Sequence, residues 1–309
     1  MLPLIKTPLV RVDYHKYDSH LWVKDESICP TGTFKDRLAW KYVQSNSEVV
    51  PCGPDIVLAS ITLGNTMRSF AYAVRSGMPV GRQPKLFAIF PAGFSKRRIG
   101  PNARGVSYDG SRIIDLLRRE SVACVEHPLS EGFLGQIELE TLAHQSCDSF
   151  RQLFNISNGI GTPAYKQILI EALDEMPVPP DFILVPVGAG VLFLEFVEVV
   201  RERRLNANVI GVTVKEANSF ADKIYGLYSP FYQQIALSGI ATYENDARFT
   251  VECIEDSAIR SVRERGLPEG FESAEPSSWA ALVPLITSPH KFTGKNVLVI
   301  NTGNGLCNV

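Results

Sequence analysis

Four groups of residues in this chain have types and spacings that could do chemistry. Lys35 stands in Pro30-Thr31-Gly32-Thr33-Phe34-Lys35-Asp36-Arg37, where a Pro-Thr-Gly turn runs into a helix expected over residues 34–45. A lysine at such a junction can form a Schiff base with an aldehyde, although one flanked by Asp36 and Arg37 also reads as a solvated helix start. Thr62-Leu63-Gly64-Asn65-Thr66 lies between an apolar run at residues 56–60 and a helical pattern over residues 67–76. Strand, glycine turn and helix in that order set backbone N–H groups and short polar side chains at a helix N-terminus. Asn65 is there either a helix N-cap or a donor to a ligand oxygen.

Gly188-Ala189-Gly190-Val191-Leu192 joins a buried strand to a helix. Successive N–H groups and the helix dipole can hold a phosphate at such a place without a cationic side chain; a plain tight turn has the same look. Phe193 breaks the Gly-x-Gly-x-x-Gly pattern and no Gly-Lys-Ser/Thr follows, so neither NAD nor ATP is supported. Thr302 ends the last apolar run, over residues 296–300, where its hydroxyl could bond a ring nitrogen without protonating it or could merely make a turn. Gly-x-Ser-x-Gly and His-Glu-x-x-His are absent, and the six cysteines (Cys29, Cys52, Cys124, Cys147, Cys253, Cys307) and five histidines show no ligand spacing. Buried reduced thiols and no metal site are expected.

The elements that must position these groups repeat. Two β-like pieces, residues 9–12 and 21–24, precede the lysine; strands at 56–60, 85–90 and 123–125 alternate with helices at 67–76 and 111–119. Such repeats imply a parallel sheet covered on both faces, here a smaller lobe over residues 46–150. An amphipathic helix is expected over residues 162–176, with Ala164, Ile168, Ala172 and Leu173 on one side, followed by strands at 182–187, 209–214 and 296–300. Residues 219–260 give no clear pattern.

The 309 residues are 45% hydrophobic and 21% charged, with a net charge of -2, enough for a large core and without the basic field that nucleic acid or an anionic membrane would attract. The most apolar run, residues 182–194, contains a proline and two glycines and is too short for a bilayer. A cytoplasmic protein is expected. Ser95-Lys96-Arg97-Arg98 is either an anionic-substrate patch or a solvated cluster.

Taken together, the lysine, the Gly-Asn turn, the glycine-rich turn and the Thr-Gly turn resemble the pyridoxal-phosphate enzymes of fold type II, the tryptophan synthase β-subunit family, over nearly the whole chain. Pro30 to Arg37 is similar to the threonine synthase version of the lysine motif, as are Thr302-Gly303-Asn304-Gly305-Leu306 and Glu275-Pro276-Ser277-Ser278-Trp279-Ala280-Ala281 to that branch's C-terminal motifs. The resemblance implies an α/β, two-lobed three-layer α/β/α fold with mostly parallel sheets. A large domain (1–45 and 151–309) would anchor pyridoxal 5'-phosphate beside a small mobile domain (46–150). It implies Lys35 as the Schiff-base lysine and proton carrier, Asn65 at the cofactor's 3-oxygen, Gly188, Ala189, Gly190, Val191 and Leu192 at its phosphate, and Thr302 at its ring nitrogen. Thr62, Leu63, Gly64 and Asn65 would take the substrate carboxylate; Leu63 stands where the family has a hydroxyl residue, and Ala189 and Val191 where glycines are common.

The implied reaction is elimination or β/γ-replacement on a small amino-acid substrate, through an aminoacrylate or vinylglycine-type intermediate. Threonine synthase acting on O-phosphohomoserine, a serine/threonine dehydratase or cysteine synthase-like β-replacement enzyme, and a catalytically silent pyridoxal-binding relative are the alternatives. A homodimer is expected from the resemblance.

Overall fold

The computed structural model describes the chain apart from residues 1–5, 13–18, 46–50, 100–107, 130–133, 158, 161–162, 215–218, 220, 222–242, 244, 272 and 305–309. Thr162, Gly305, Leu306, Cys307 and the polar turn after residue 12 therefore lie outside the described residues.

Two sheets organise the fold. The larger has six strands in the order β1 (Leu9–Val12), β2 (His20–Asp25), β12 (Asn296–Asn301), β9 (Phe182–Pro186), β10 (Asn208–Val214) and β11 (Phe249–Ile254). Only the β1–β2 pair is antiparallel. The smaller runs β7 (Val122–His127), β4 (Lys85–Pro91), β3 (Ile56–Ile61), β8 (Gln152–Asn155), parallel throughout. Arg98–Ile99 (β5) and Tyr108–Asp109 (β6) make a short antiparallel pair.

Every residue of β3 is buried, as a central strand covered on both faces requires. Helices α1 (Lys35–Gln44), α2 (Asn65–Gly77), α3 (Gly110–Arg119), α5 (Lys166–Glu175) and α6 (Val191–Glu202) fill the space between and around the sheets. One continuous apolar cluster joins Leu38 and Tyr42 of α1 to Phe70 of α2, Ile168 of α5, Phe193 of α6 and Leu298 of β12. A second covers the other face of the large sheet, under α7 (Asp256–Glu264), α8 (Pro276–Trp279) and α9 (Val283–Thr287), and includes the buried Trp279. A third lies beneath α4 (Gln136–Ser146) on the outer face of the small sheet. These layers are the α/β/α arrangement that the resemblance implied.

Several expectations need correction. The helix expected from residue 162 starts only at Lys166, because the backbone N–H groups of Ala164, Tyr165 and Lys166 are held by the Glu195 carboxylate of α6. β8, at residues 152–155, hydrogen-bonds to β3, so the small sheet runs past residue 150. The unreadable stretch contains β11 and the start of α7: β11 is an edge strand whose Thr250 and Cys253 face solvent, which dilutes its apolar pattern. Of the described cysteines, all free, only Cys29 is buried; Cys52, Cys124 and Cys147 are half-buried and Cys253 is exposed, since they sit at sheet margins and loops rather than in the core. No helix among the described residues is long and apolar enough to cross a membrane.

Candidate active site

β2, β12 and β9 are neighbours running in one direction, with Asn301 opposite Asp25 in the register. The segments leaving their C-terminal ends therefore emerge at one edge of the sheet, and these segments carry Lys35, Thr302 and residues 188–192. Backbone bonds join two of them directly. Thr33 and Gly303 form an antiparallel bridge, Phe34 N donates to Thr302 O (3.0 Å), and Asn304 N donates to Gly32 O (2.9 Å). Asn304 Nδ2 adds a bond to Ser27 O at 3.1 Å. Gly32 has φ +78, and a Cβ there would lie 2.3 Å from the Asn304 side chain, so the turn before the lysine requires glycine twice over.

Lys35 is the first residue of α1 and is half-buried. Its Nζ lies 4.6 Å from the ring centre of Phe34 and 5.3 Å from that of Tyr165. Desolvation lowers its pKa from 10.5 to about 8, partly opposed by the Glu195 carboxylate. At pH 7.5 roughly a quarter of the amine is then neutral and nucleophilic, against about 0.1% for an unperturbed lysine.

The residues flanking Lys35 overturn the solvated-helix reading. Asp36 is 1% and Arg37 6% exposed. Asp36 accepts from Thr31 N (2.7 Å) and Thr31 Oγ1 (2.6 Å), closing the Pro-Thr-Gly turn onto the helix start. Arg37 forks onto Glu171 of α5 (2.7 and 2.8 Å) and onto Glu26 (3.0 and 2.9 Å). Lys24, fully buried, meets the same Glu171 at 3.0 Å and Thr7 O at 2.6 Å. A buried four-charge network thus underlies the lysine loop. Sequence reasoning missed it, and its only signal was the charged run from Lys24 to Glu26 inside an otherwise buried strand and turn.

The Thr302 hydroxyl is 2.9 Å from Ser278 Oγ of α8, and Ser278 Oγ also accepts from Thr302 N at 3.1 Å. Ser278 is a second hydroxyl at this position, contained in the Glu275–Ala281 motif but given no role by it. Glu275, buried, donates its N–H to Gly303 O at 2.9 Å and tethers α8 to the Thr-Gly turn. After β9, Gly188 and Ala189 are half-buried, and Gly190, at φ 85, is the N-cap of α6; having no side chain, it gives the first-turn amides no side-chain cap.

On the small sheet, Thr62 to Asn65 follow the C-terminal end of β3. Gly64, at φ 117, is the N-cap of α2 and Asn65 its first residue, which removes the N-cap reading of Asn65. Thr62 Oγ1 is turned back to accept from Gly64 N at 3.0 Å, and Leu63 packs half-buried on the main apolar cluster. Lys96 is exposed and Arg97 half-buried, the latter with Nη2 3.5 Å from Ser219 O.

No protein-family model matches the chain. A cysteine synthase of a Flavobacterium species is 23% identical, with 92% of each chain covered. An O-acetylserine dependent cystathionine beta-synthase from Helicobacter pylori superposes with a TM-score of 0.68 at 19% identity, over 97% of this chain and 93% of that one. A hydrogen sulfide-producing enzyme from Fusobacterium nucleatum gives 0.68 at 19% identity over 97% and 95%, and a threonine deaminase from T.th. gives 0.65 at 16% over 96% and 92%. These likenesses span both sheets, and the fold is that of the fold type II pyridoxal-phosphate enzymes.

Proposed function

We propose that this protein is a pyridoxal-phosphate-dependent lyase or synthase that eliminates or replaces a group on the β-carbon of an amino acid. The observation that carries the reading is the single edge of the large sheet at which a partly desolvated lysine, a hydroxyl pair and an uncapped helix N-terminus emerge from adjacent parallel strands. The printed activities of the relatives, a cysteine synthase and an O-acetylserine dependent cystathionine beta-synthase, favour replacement at the β-carbon.

The residues fit the cofactor: an amine of lowered pKa for its aldehyde at Lys35, amides for its phosphate from Gly188 to Leu192, a hydroxyl for its ring nitrogen at Thr302 backed by Ser278, and the Asn65 side chain for its 3-oxygen. When bound, pyridoxal phosphate draws electrons from the substrate's α-carbon, acidifying the proton there and easing loss of a group from the next carbon. Lys35 Nζ would take that α-proton and could return it to the leaving group or the product. Thr302 Oγ1 would bond the ring nitrogen without delivering a full proton, which would favour elimination and replacement over transamination. Because Gly64 N is already spent on Thr62 Oγ1, the substrate carboxylate falls to the Leu63 amide and the start of α2.

The protein should purify yellow, Lys35→Ala should lose that absorbance, and single amino acids should change the spectrum; a colourless wild type sinks the reading. Serine and O-acetylserine with a panel of thiols and amines, read by mass spectrometry, identify the replacement. Threonine synthase is the second reading, favoured by the Pro30 to Arg37 motif; phosphate release from O-phosphohomoserine tests it. A catalytically silent relative would bind the cofactor yet turn over none of these, and size-exclusion chromatography tests the expected homodimer.

A further inference from the structure

Glu195 lies one turn into α6 and is 8% exposed. Its carboxylate crosses to another helix, accepting from Ala164 N at 3.3 Å, Tyr165 N at 2.6 Å and Lys166 N at 2.8 Å at the start of α5. That start has no side-chain cap of its own, so a carboxylate from α6 serves it and fixes the backbone of Tyr165. The Tyr165 ring, 1% exposed, packs on Phe34 with centroids 4.8 Å apart, and Lys35 Nζ lies over both rings. The Tyr165 hydroxyl has no hydrogen-bond partner among the described residues. The ring is therefore held by its backbone and its tilted contact with Phe34, and the first of these depends on Glu195.

The other charged groups nearby are engaged elsewhere. Lys166 directs its amine to Glu202 (2.6 Å) and Glu198 (3.0 Å). Asp36, on the same helix as Lys35, faces Thr31, with Ser69 and Arg68 beside it. Burial, with the neighbouring Glu198 carboxylate, raises the Glu195 carboxyl pKa, and the three amide bonds offset part of that rise by favouring its charged form.

We propose that Glu195 is a positioning residue for Lys35, holding through Tyr165 the aromatic surface on which the amine rests and supplying the negative charge that faces it. Burial lowers the pKa of the amine, and the Glu195 carboxylate acts in the opposite direction, favouring its protonated form. The proposal rests on the reading of Lys35 as the reacting amine.

The test is competitive labelling of the full-length protein with trace acetic anhydride across pH 6 to 11, after removal of bound aldehyde with hydroxylamine, read on the Lys35 peptide by mass spectrometry. The wild-type midpoint is expected at about 8. Glu195→Gln should move it down by about one pH unit. Tyr165→Leu should also lower it, and Tyr165→Phe, which keeps the ring, should leave it in place. A role confined to stabilising α5 would lower melting temperatures without moving the midpoint. Midpoints unmoved in both E195Q and Y165L, with both variants folded by circular dichroism, overturn the proposal; should E195Q not fold, the comparison of Y165L with Y165F decides it alone. Borohydride reduction with pyridoxal phosphate is run on the wild type beside it. A label on a lysine other than Lys35 overturns the reading of that amine and this proposal with it, whereas a label on Lys35 with unmoved midpoints overturns this proposal only.

Discussion

Replacing Glu171 by glutamine strikes the network beneath the lysine loop. Glu171 is 7% exposed and receives both arms of the Arg37 fork and the Lys24 amine, at 2.7, 2.8 and 3.0 Å. Lys24 and Arg37 are balanced by Glu26 and Glu171, so the buried set is neutral as it stands. Glu171→Gln leaves two buried cations facing one carboxylate, with Glu175 only at the margin, 4.0 Å from Lys24. Breaking a buried pair from one side costs about 3–5 kcal/mol. With 309 residues and an unfolding entropy of about 2.1 cal/mol/K per residue, roughly 0.65 kcal/mol/K in all, the melting temperature should fall by about 5–8 °C. Burial alone would raise the Glu171 carboxyl pKa, but the bonds and charge of Arg37, then Lys24, hold it below 4.5. A carboxyl depressed in the folded state stabilises the protein above its unfolded pKa and loses that contribution as the pH falls through the folded value. The gap between wild type and variant should thus be full at neutral pH and narrow below about pH 4.5. Scanning calorimetry at pH 7.5, 5 and 4 measures both effects. A melting temperature within about 2 °C of wild type at pH 7.5, or a gap that does not narrow in acid, refutes the idea that this network holds the loop.

Gly32→Ala forces a side chain into a left-handed backbone and onto Asn304; the backbone alone costs about 1–2 kcal/mol, so the melting temperature should drop, and an unchanged one would mean the two motifs are not locked together. Thr302→Val removes the hydroxyl paired with Ser278 and should weaken pyridoxal-phosphate binding about tenfold, the worth of one hydrogen bond, in a spectrophotometric titration; an unaltered Kd counts against its contact with the ring nitrogen. Tyr165→Phe deletes a buried hydroxyl that has no partner among the described residues and should be neutral or stabilising by up to about 1 kcal/mol in urea. A clear loss of stability would show that the hydroxyl is satisfied in solution.

What the sequence made legible, and what it concealed, follow from how far apart interacting residues stand. The four strand-end motifs were readable because each is local: an apolar run, a glycine or proline turn, and a helical pattern within about 15 residues. The flanks of Lys35 misled because their partners are remote: Arg37 meets Glu26 across 11 residues and Glu171 across 134. Neither spacing leaves a periodic trace, so two buried charges looked like a wet helix start. β11 stayed hidden because an edge strand shares its residues with solvent.

Helix α5 shows the same limit most sharply. Its apolar stripe, with Ala164, Ile168 and Ala172 all buried, was evident as the face of a covering helix. Glu171 lies in phase with that stripe, three residues after Ile168 and beside Ala172, and its burial makes sense only once Arg37 and Lys24 are seen beneath it. Tyr165 begins the same helix and lies under the Lys35 amine, held there by Glu195. One helix with a pattern of plain amphipathic cover therefore meets the amine with its first turn and the charges anchoring that amine's loop with its second. The positions of the candidate site residues are set by strand ends, which are local features of sequence, whereas their charge environment is set by helices that pack on those ends. A reading from sequence can thus place Lys35, but it cannot say how acidic its ammonium is.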